Sequence, residues 1–176
     1  MDGLNFARGI DISPDGKHVY VVAAFDHALA AFSRDSATGE LTFVDVEKDG
    51  VGGVDGLNYA SNVAVSPDGK HVYVTGNGDH AVAVFSRDSA TGELTFVDVE
   101  KDGVGGVDGL SSPIPVAISP DGKHVYVGST GDDALTMFSR DSATGELTFE
   151  TTYLDGVDGN NFDAPLWIAF STDGQY

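Results

Sequence analysis

The sequence predicts an all-β protein made of four-stranded β-propeller blades, and three observations support this prediction. The tetrapeptide Ser-Pro-Asp-Gly begins at Ser13, Ser66 and Ser119, which gives a repeat of 53 residues. The 26 residues 32–57 are identical to residues 85–110. Each repeat consists of short alternating apolar runs between glycine-rich turns, without a helix-length periodic segment. A β-solenoid, the alternative fold, usually has shorter coils and fewer hairpin turns.

The first half of each repeat predicts two strands joined by a tight turn. Strand a is short and apolar, as in Gly9–Ile12, Val63–Val65 and Val116–Ile118. Ser-Pro-Asp-Gly follows as a type I turn, because proline presets its second position and glycine releases the chain at its fourth. Strand b begins at His18 in the first copy and alternates His and Tyr with Val. We therefore expect the valines on one face of the sheet and the His and Tyr side chains on the other.

The second half of each repeat predicts a hairpin and a long loop. Strand c covers Ala28–Phe32 in the first copy, and strand d covers Glu40–Val46. The hairpin between them ends at Gly39, which suits the positive φ that such loops require. A glycine- and aspartate-rich loop from Glu47 to Gly56 then leads to the next strand a. Insertions of this kind commonly form one binding face of a repeat protein.

The repeat boundaries divide the chain into three blades, residues 1–53, 54–106 and 107–158, and an extra inner strand within 159–176. Propellers close with about four to eight blades, and an open arc exposes apolar blade faces. We therefore expect a homo-oligomer that forms through blade edges and faces, as a closed ring or an open assembly. A longer chain that supplies the remaining blades is the alternative.

The charge of the chain limits its partners. Asp and Glu number 28 against 9 Lys and Arg, a net charge of −19 spread evenly over the repeats. Nucleic acid and anionic membranes are excluded as partners, because both require a basic surface. A cation or a basic protein fits the charge better. The chain has no cysteine, no apolar run of membrane-spanning length and no signal-peptide pattern after Met1, so we expect a soluble protein.

Two sets of repeated residues are interpreted as structural. Successive blades would hold the strand b histidines too far apart to share one metal ion, so we expect packed, hydrogen-bonded residues at His18, His71 and His124. Arginines at the c–d turn stand beside aspartates in sequence, so we expect surface salt partners or turn stabilisers at Arg34, Arg87 and Arg140. Trp167, the sole tryptophan, is interpreted as a packing residue of a terminal blade, with ligand stacking as the alternative.

One weak metal site is predicted near the blade axis. Asp55, Asp108 and Asp158 each precede a strand a, so ring closure would bring their carboxylates together near one channel mouth. Carboxylate oxygens are ligands that Ca²⁺ prefers. The loop lacks the spacing of a calcium-binding loop, and solvated Gly-Asp turns are the alternative interpretation. No other cofactor is predicted.

The segment Ser-Pro-Asp-Gly-Lys-His-Val-Tyr-Val resembles the repeats of bacterial lactonase-like seven-bladed propellers, which include propeller-type 6-phosphogluconolactonases and muconate-cyclising enzymes. The resemblance implies a propeller fold and, as one hypothesis, a hydrolase or isomerase acting on a small sugar lactone or cyclic acid. It assigns no catalytic residue here. Because near-identical blades provide near-identical environments for an acid and a base, the main hypothesis is a non-enzymatic structural or interaction module.

Overall fold

The structure is a computed structural model that describes residues 3–157 and 159–171. Twelve β-strands form three sheets of four strands each. Blade 1 contains β1 (Ala7–Ile12), β2 (His18–Ala23), β3 (Ala28–Arg34) and β4 (Leu41–Lys48). Blade 2 contains β5 (Ala60–Val65), β6 (His71–Gly76), β7 (Ala81–Arg87) and β8 (Leu94–Lys101). Blade 3 contains β9 (Pro113–Ile118), β10 (His124–Ser129), β11 (Ala134–Arg140) and β12 (Leu147–Leu154).

Each sheet is an antiparallel meander in sequence order, which confirms the predicted propeller blades. The a–b and c–d turns therefore lie at one end of every blade, called the hairpin end. The b–c turn and the long d–a loop lie at the other end, called the loop end. Neighbouring blades approach each other through their first strands, with β1 against β5 and β5 against β9. Strand a of each blade is thus the innermost strand.

Two apolar layers hold the three blades together. Tyr20 and Leu29 of blade 1 pack in one layer with Val63 and Val72 of blade 2. The second layer joins the opposite face of blade 2 to blade 3 in the same way. This arrangement follows from the alternation in strand b, which sends Tyr to one face and Val to the other. Both faces of blade 2 are covered in this way, so β6 is buried along its whole length.

A buried arginine joins consecutive blades at the hairpin end. Arg87 of blade 2 donates from Nε to the Tyr20 hydroxyl at 2.8 Å and from a terminal nitrogen to Asp15 Oδ2 at 3.2 Å. The same nitrogen lies 2.7 Å from His18 Nδ1. Arginine can only donate, so Nδ1 accepts and a neutral His18 carries its proton on Nε2. We call this set of side chains, and its equivalent in the next interface, the interblade arginine cluster.

The second interblade arginine cluster repeats the first. Arg140 of blade 3 donates to the Tyr73 hydroxyl at 2.8 Å and to Asp68 Oδ2 at 2.9 Å, and lies 2.7 Å from His71 Nδ1. Tyr73 in turn donates to the carbonyl of Gly145 at 2.8 Å. Arg140, Asp68, His71 and Tyr73 therefore each have a partner across this interface, as a buried charge requires.

These contacts correct one prediction and confirm another. The side chains of Arg87 and Arg140 are 1% exposed, so they are not surface salt partners. Each forms its ion pair with an aspartate of the preceding blade, 72 residues earlier, rather than with the adjacent aspartate. His18 and His71 are packed and hydrogen-bonded, as predicted. Arg34 has no described blade before it, and it donates to the Gly16 carbonyl at 3.2 Å.

A second interblade contact lies at the loop end. His27 Nδ1 accepts the backbone N–H of Tyr59 in the next blade at 2.9 Å, and His80 accepts that of Ser112 at the same distance. The third copy has Asp133 in place of histidine, and its carboxylate accepts the N–H of Ala164 at 3.0 Å. The sequence change therefore preserves the bond, because both side chains offer an acceptor at the same place.

The segment after blade 3 has a less regular structure. The predicted inner strand is not assigned as a strand within residues 159–171, because no described segment pairs with it in a ladder. Phe170 nevertheless contacts Tyr126 with ring centroids 5.4 Å apart. Residues 165–170 therefore lie against blade 3 at the place where a fourth strand a belongs. The described residues include no helix of the length and apolarity needed to cross a membrane.

We expect the interblade arginines to differ sharply from Arg34 in their contribution to stability. Arg140→Leu leaves the buried polar groups of Asp68, His71 and Tyr73 without their partner, so we expect a loss of about 3 kcal/mol in the free energy of unfolding. Arg34 has the same neighbours in sequence but no described interblade partner. For Arg34→Leu we therefore expect a loss below about 1 kcal/mol in the free energy of unfolding. Urea denaturation in dilute solution measures both. Equal losses would contradict the role of the cluster.

The clusters also predict how stability depends on pH. Burial, and then the charge of Arg140, lower the pKa of His71 below its ordinary value of 6.5. His71 thus binds a proton more readily in the unfolded chain than in the folded one, so protonation favours unfolding. The stability that is present above pH 6.5 is therefore lost as the pH falls below 6.5. Burial opposes ionisation of Asp68, but hydrogen bonds from Ser66 and Arg140 bring its pKa to about 2. Its stabilising contribution is present above pH 3.8 and disappears as the pH falls toward 2.

Melting temperatures measured from pH 7 down to about pH 2 check this two-stage loss. Asp68→Asn should reduce the fall in melting temperature at acidic pH and leave the fall near neutral pH unchanged. Glu40→Gln, in the exposed c–d hairpin of blade 1, is the matched control and should change neither stage. A melting temperature that stays constant across this range would show that the clusters do not couple protonation to folding.

Candidate functional site

The inner strands enclose an open cleft of about 750 Å³. Its walls are β1, β5 and β9, with Trp167 and Ile168 of the following segment on one side. This volume lies in the range of small-molecule sites, and the cleft runs along the axis around which the blades are arranged. The cleft is therefore the candidate functional site.

The repeats differ from one another where they line this cleft. The outer strands β4 and β8 have the same sequence, Leu-Thr-Phe-Val-Asp-Val-Glu-Lys. In the inner strands, by contrast, Arg8 and Asp11 of β1 occupy the positions of Ser61 and Ala64 of β5. The corresponding positions of β9 are apolar. Near-identical blades thus present different side chains to the cleft, so its environment is asymmetric.

Asp11 is a fixed carboxylate in the cleft wall. Its Oδ2 accepts the backbone N–H of Val65 in blade 2 at 2.8 Å, and its Oδ1 accepts the N–H of Ile12 at 2.8 Å. Burial raises the pKa of Asp11 above its ordinary value of 3.8, although both hydrogen bonds act in the opposite direction. The side chain is therefore held in one orientation, and it is more basic than an aspartate in water.

Aromatic side chains surround Arg8 where the cleft reaches the loop end. The guanidinium carbon of Arg8 lies 5.7 Å from the ring centroid of Phe6 and 5.7 Å from that of Tyr59. Phe25 stacks on Phe6 with centroids 4.6 Å apart. These cation–π contacts orient a positive charge beside the cleft. Phe6 remains 51% exposed, so part of its ring is accessible to a ligand.

Trp167 lines the opposite side of the cleft. It is 80% exposed among the described residues. An exposed indole in a cleft offers its apolar face to a ligand. The packing interpretation of Trp167 and the stacking alternative both stay predictions.

The predicted calcium ligands lie in different surroundings. Asp55 lies with Asp49 and Asp79, with one carboxylate oxygen of each within 4.8 Å of the others. Its carboxylate forms an ion pair with Lys101 Nζ at 2.8 Å. Asp108 is exposed at the equivalent loop of the next repeat, and Asp158 lies outside the described residues. The calcium site built from Asp55, Asp108 and Asp158 stays a prediction.

Comparison with known proteins identifies the family. Residues 5–160 match the family model described as lactonase, 7-bladed beta-propeller. The chain belongs to this lactonase family. Three blades and an inner segment are described here, and the family resemblance inferred from Ser-Pro-Asp-Gly-Lys-His-Val-Tyr-Val is confirmed.

Similar proteins extend well beyond the length of this chain. It is 27% identical to the 6-phosphogluconolactonase of Bacillus subtilis over 142 residues, which are 80% of this chain and 39% of that protein. The periplasmic gluconolactonase of Pseudomonas aeruginosa superimposes with a TM-score of 0.70 at 26% identity, covering 83% of this chain and 39% of that one. Hydrazine synthase of Kuenenia stuttgartiensis, with a TM-score of 0.67, 23% identity and coverage of 97% and 40%, shares the fold alone. The chain thus matches about 40% of the length of these relatives.

These comparisons overturn the main functional hypothesis. A non-enzymatic structural or interaction module was expected because the blades are nearly identical, whereas the named relatives are lactonases. The expectation failed because it was based on the turns and on the outer strands β4 and β8, which have the same sequence in both repeats. Arg8 and Asp11, which line the cleft, were not singled out in the sequence. Aligning the copies along strand a and asking where they differ would have found both.

Proposed function

We propose that the axial cleft binds a small sugar lactone and promotes hydrolysis of its ring ester. One observation carries the proposal: charged side chains absent from the other inner strands, Arg8 and Asp11, line an otherwise largely apolar cleft. The names of the relatives support lactone chemistry and favour hydrolysis over isomerisation. Because the chain spans about 40% of those relatives, the reaction is assigned to the cleft that these three blades line.

Lactone hydrolysis requires a base for water and a positive group for the developing oxyanion. The water oxygen attacks the carbonyl carbon, and the carbon–oxygen bond of the ring ester then breaks. Asp11 is the proposed general base that takes the proton from water and returns it to the leaving ring oxygen. Its raised pKa suits this role, because a base is more effective when its pKa approaches the working pH.

Arg8 is the proposed stabiliser of the oxyanion. Its guanidinium is held against Phe6 and Tyr59, so it needs little reorganisation as charge develops on the carbonyl oxygen. The exposed rings of Phe6 and Trp167 lie on different sides of the cleft. Aromatic faces of this kind pack against the C–H surface of a sugar ring, and their hydrophobic contact orients the substrate.

Titration of released acid at constant pH tests the proposed reaction, since each ring opening yields one carboxylic acid. Glucono-δ-lactone and its 6-phosphate are the probes, with spontaneous hydrolysis subtracted. We expect Asp11→Asn to lower kcat by about 100-fold, because the amide takes up no proton; it keeps one of the two backbone hydrogen bonds, since only its oxygen is an acceptor. Arg8→Gln should lower kcat/KM by about tenfold through loss of the positive charge. Glu40→Gln is the control and should leave both parameters unchanged.

Acid release that is indistinguishable between the parent chain and the Asp11→Asn variant would overturn the assignment of the base. No acid release above the spontaneous rate, from a chain whose three sheets are intact by circular dichroism, would overturn the proposed hydrolysis by this cleft. A wild-type pH–rate profile is a second check. Because burial raises the pKa of Asp11, the rate should begin to fall at a higher pH than for an ordinary carboxylate base.

A further inference from the structure

The b–c turn of blade 1 contacts the residue that precedes β5 at two points. His27 Nδ1 accepts the backbone N–H of Tyr59 at 2.9 Å. The ring of Phe25, in the same turn, lies with its centroid 5.7 Å from that of the Tyr59 ring. Both contacts cross from blade 1 to blade 2. Tyr59 is therefore held through its backbone and through its side chain by one turn of the preceding blade.

Tyr59 has a backbone conformation that tyrosine rarely adopts. Its φ is +54°, in the left-handed region, which is unfavourable for a bulky side chain unless other contacts hold it. Its carbonyl accepts the N–H of Asn77 at 3.3 Å and the hydroxyl of Ser61 at 3.2 Å, both within blade 2. The bond from its N–H to His27 comes from blade 1 instead. This bond thus ties the direction of the Tyr59 side chain to the preceding blade.

The same backbone bond recurs at the next two junctions without an aromatic side chain. His80 accepts the N–H of Ser112, whose φ is also +54°. Asp133 accepts the N–H of Ala164, whose φ is +45°. The bond is therefore a general part of blade stacking in this chain, whereas the ring that it orients at Tyr59 is particular to the first junction.

The ring of Tyr59 contacts the positive charge of the cleft. The guanidinium carbon of Arg8 lies 5.7 Å from the ring centroid of Tyr59 and 5.7 Å from that of Phe6. Arg8 is exposed, and an exposed arginine has many rotamers of similar energy. Cation–π contact favours those rotamers that keep the guanidinium beside the rings. The orientation of Arg8 therefore depends on where the Tyr59 ring lies.

We propose that His27 is a positioning residue for Arg8. Its bond to the N–H of Tyr59 fixes the ring, and the ring fixes the guanidinium that stabilises the oxyanion. His27 does not line the cleft, so it acts through Tyr59 and not on the substrate. The kinetic consequence rests on the proposed function of the cleft, whereas the route of contacts from His27 to Arg8 does not.

Variants at the first two junctions separate positioning from a general loss of stability. His27→Ala removes the acceptor, and we expect kcat/KM for glucono-δ-lactone to fall about fivefold, less than for loss of the guanidinium itself. His27→Asn offers a side-chain oxygen where the third junction uses Asp133, so it should keep most of the activity. His80→Ala breaks the equivalent bond to Ser112 and is the matched control, which should leave kcat/KM unchanged.

Tyr59→Ser tests the route of the effect. Serine suits this backbone, because Ser112 has the same φ at the equivalent position. The ring contact with Arg8 is lost, so we expect about the same fivefold fall in kcat/KM. Since His27 acts through this ring, adding His27→Ala to the Tyr59→Ser chain should have little further effect. Falls that add in full would show that His27 acts by another route.

Nuclear magnetic resonance provides a readout that does not depend on turnover. The chain has four arginines, and isotope-labelled arginine reports the Nε–H signal of each, with Arg8→Gln assigning that of Arg8. Aromatic rings shift the signals of protons that lie near their faces. His27→Ala should therefore move the Arg8 signal toward its position in Tyr59→Ser. His27→Asn and His80→Ala should leave it in place.

An Arg8 signal that His27→Ala does not move would overturn the inference. An unmoved signal in Tyr59→Ser, which keeps the acceptor at His27, would overturn it as well. Equal falls in kcat/KM for His27→Ala and His80→Ala would assign the effect to weaker stacking of the blades. A parent chain without lactone hydrolysis overturns the proposed function, and the Arg8 signal then still decides whether His27 positions Arg8. Circular dichroism establishes that the variants compared retain their sheets.

Discussion

The structure depends on the pairing of one buried arginine with three acceptors of the preceding blade. A guanidinium removed from water is costly unless its hydrogen bonds and charge are satisfied, so Arg87 and Arg140 specify how consecutive blades stack. Apolar packing is non-directional, whereas hydrogen bonds require a defined geometry. The hydrogen bond from the Tyr73 hydroxyl to the backbone carbonyl of Gly145 adds a further directional contact between blades at the hairpin end.

The interblade arginine clusters belong to strands b and c and to the a–b turn, whereas strand a lines the cleft. Strands b and c have similar sequences in every repeat, whereas strand a also contacts the neighbouring blade but varies between repeats. Asp11 depends on both parts, because its carboxylate is oriented by the N–H of Val65 in the neighbouring blade. The cleft is therefore a product of blade stacking, and the side chains that line it differ from repeat to repeat.

Much of the fold could be predicted from the sequence, because turns and strand alternation are local signals. Ser-Pro-Asp-Gly and the hairpin glycines mark the boundaries, and the strands follow within a few residues of the expected positions. The partners of arginine could not be predicted in this way. Arg34, Arg87 and Arg140 have the same neighbours in sequence, yet the first has no described preceding blade to bury it, whereas each of the other two binds an aspartate 72 positions earlier. The cleft was missed for a related reason, since only stacked blades bring the variable inner strands together.

The position of the two halves of the cluster within one repeat has an evolutionary consequence. Asp68, His71 and Tyr73 come early in the second repeat, and Arg87 comes later in the same repeat. A duplicated 53-residue gene segment therefore encodes both the arginine and its three acceptors, so each new copy pairs with the copies on either side of it. Such a protein gains a blade in a single genetic event, with no need for compensating mutations at the new junction, and its innermost strand is then free to diverge.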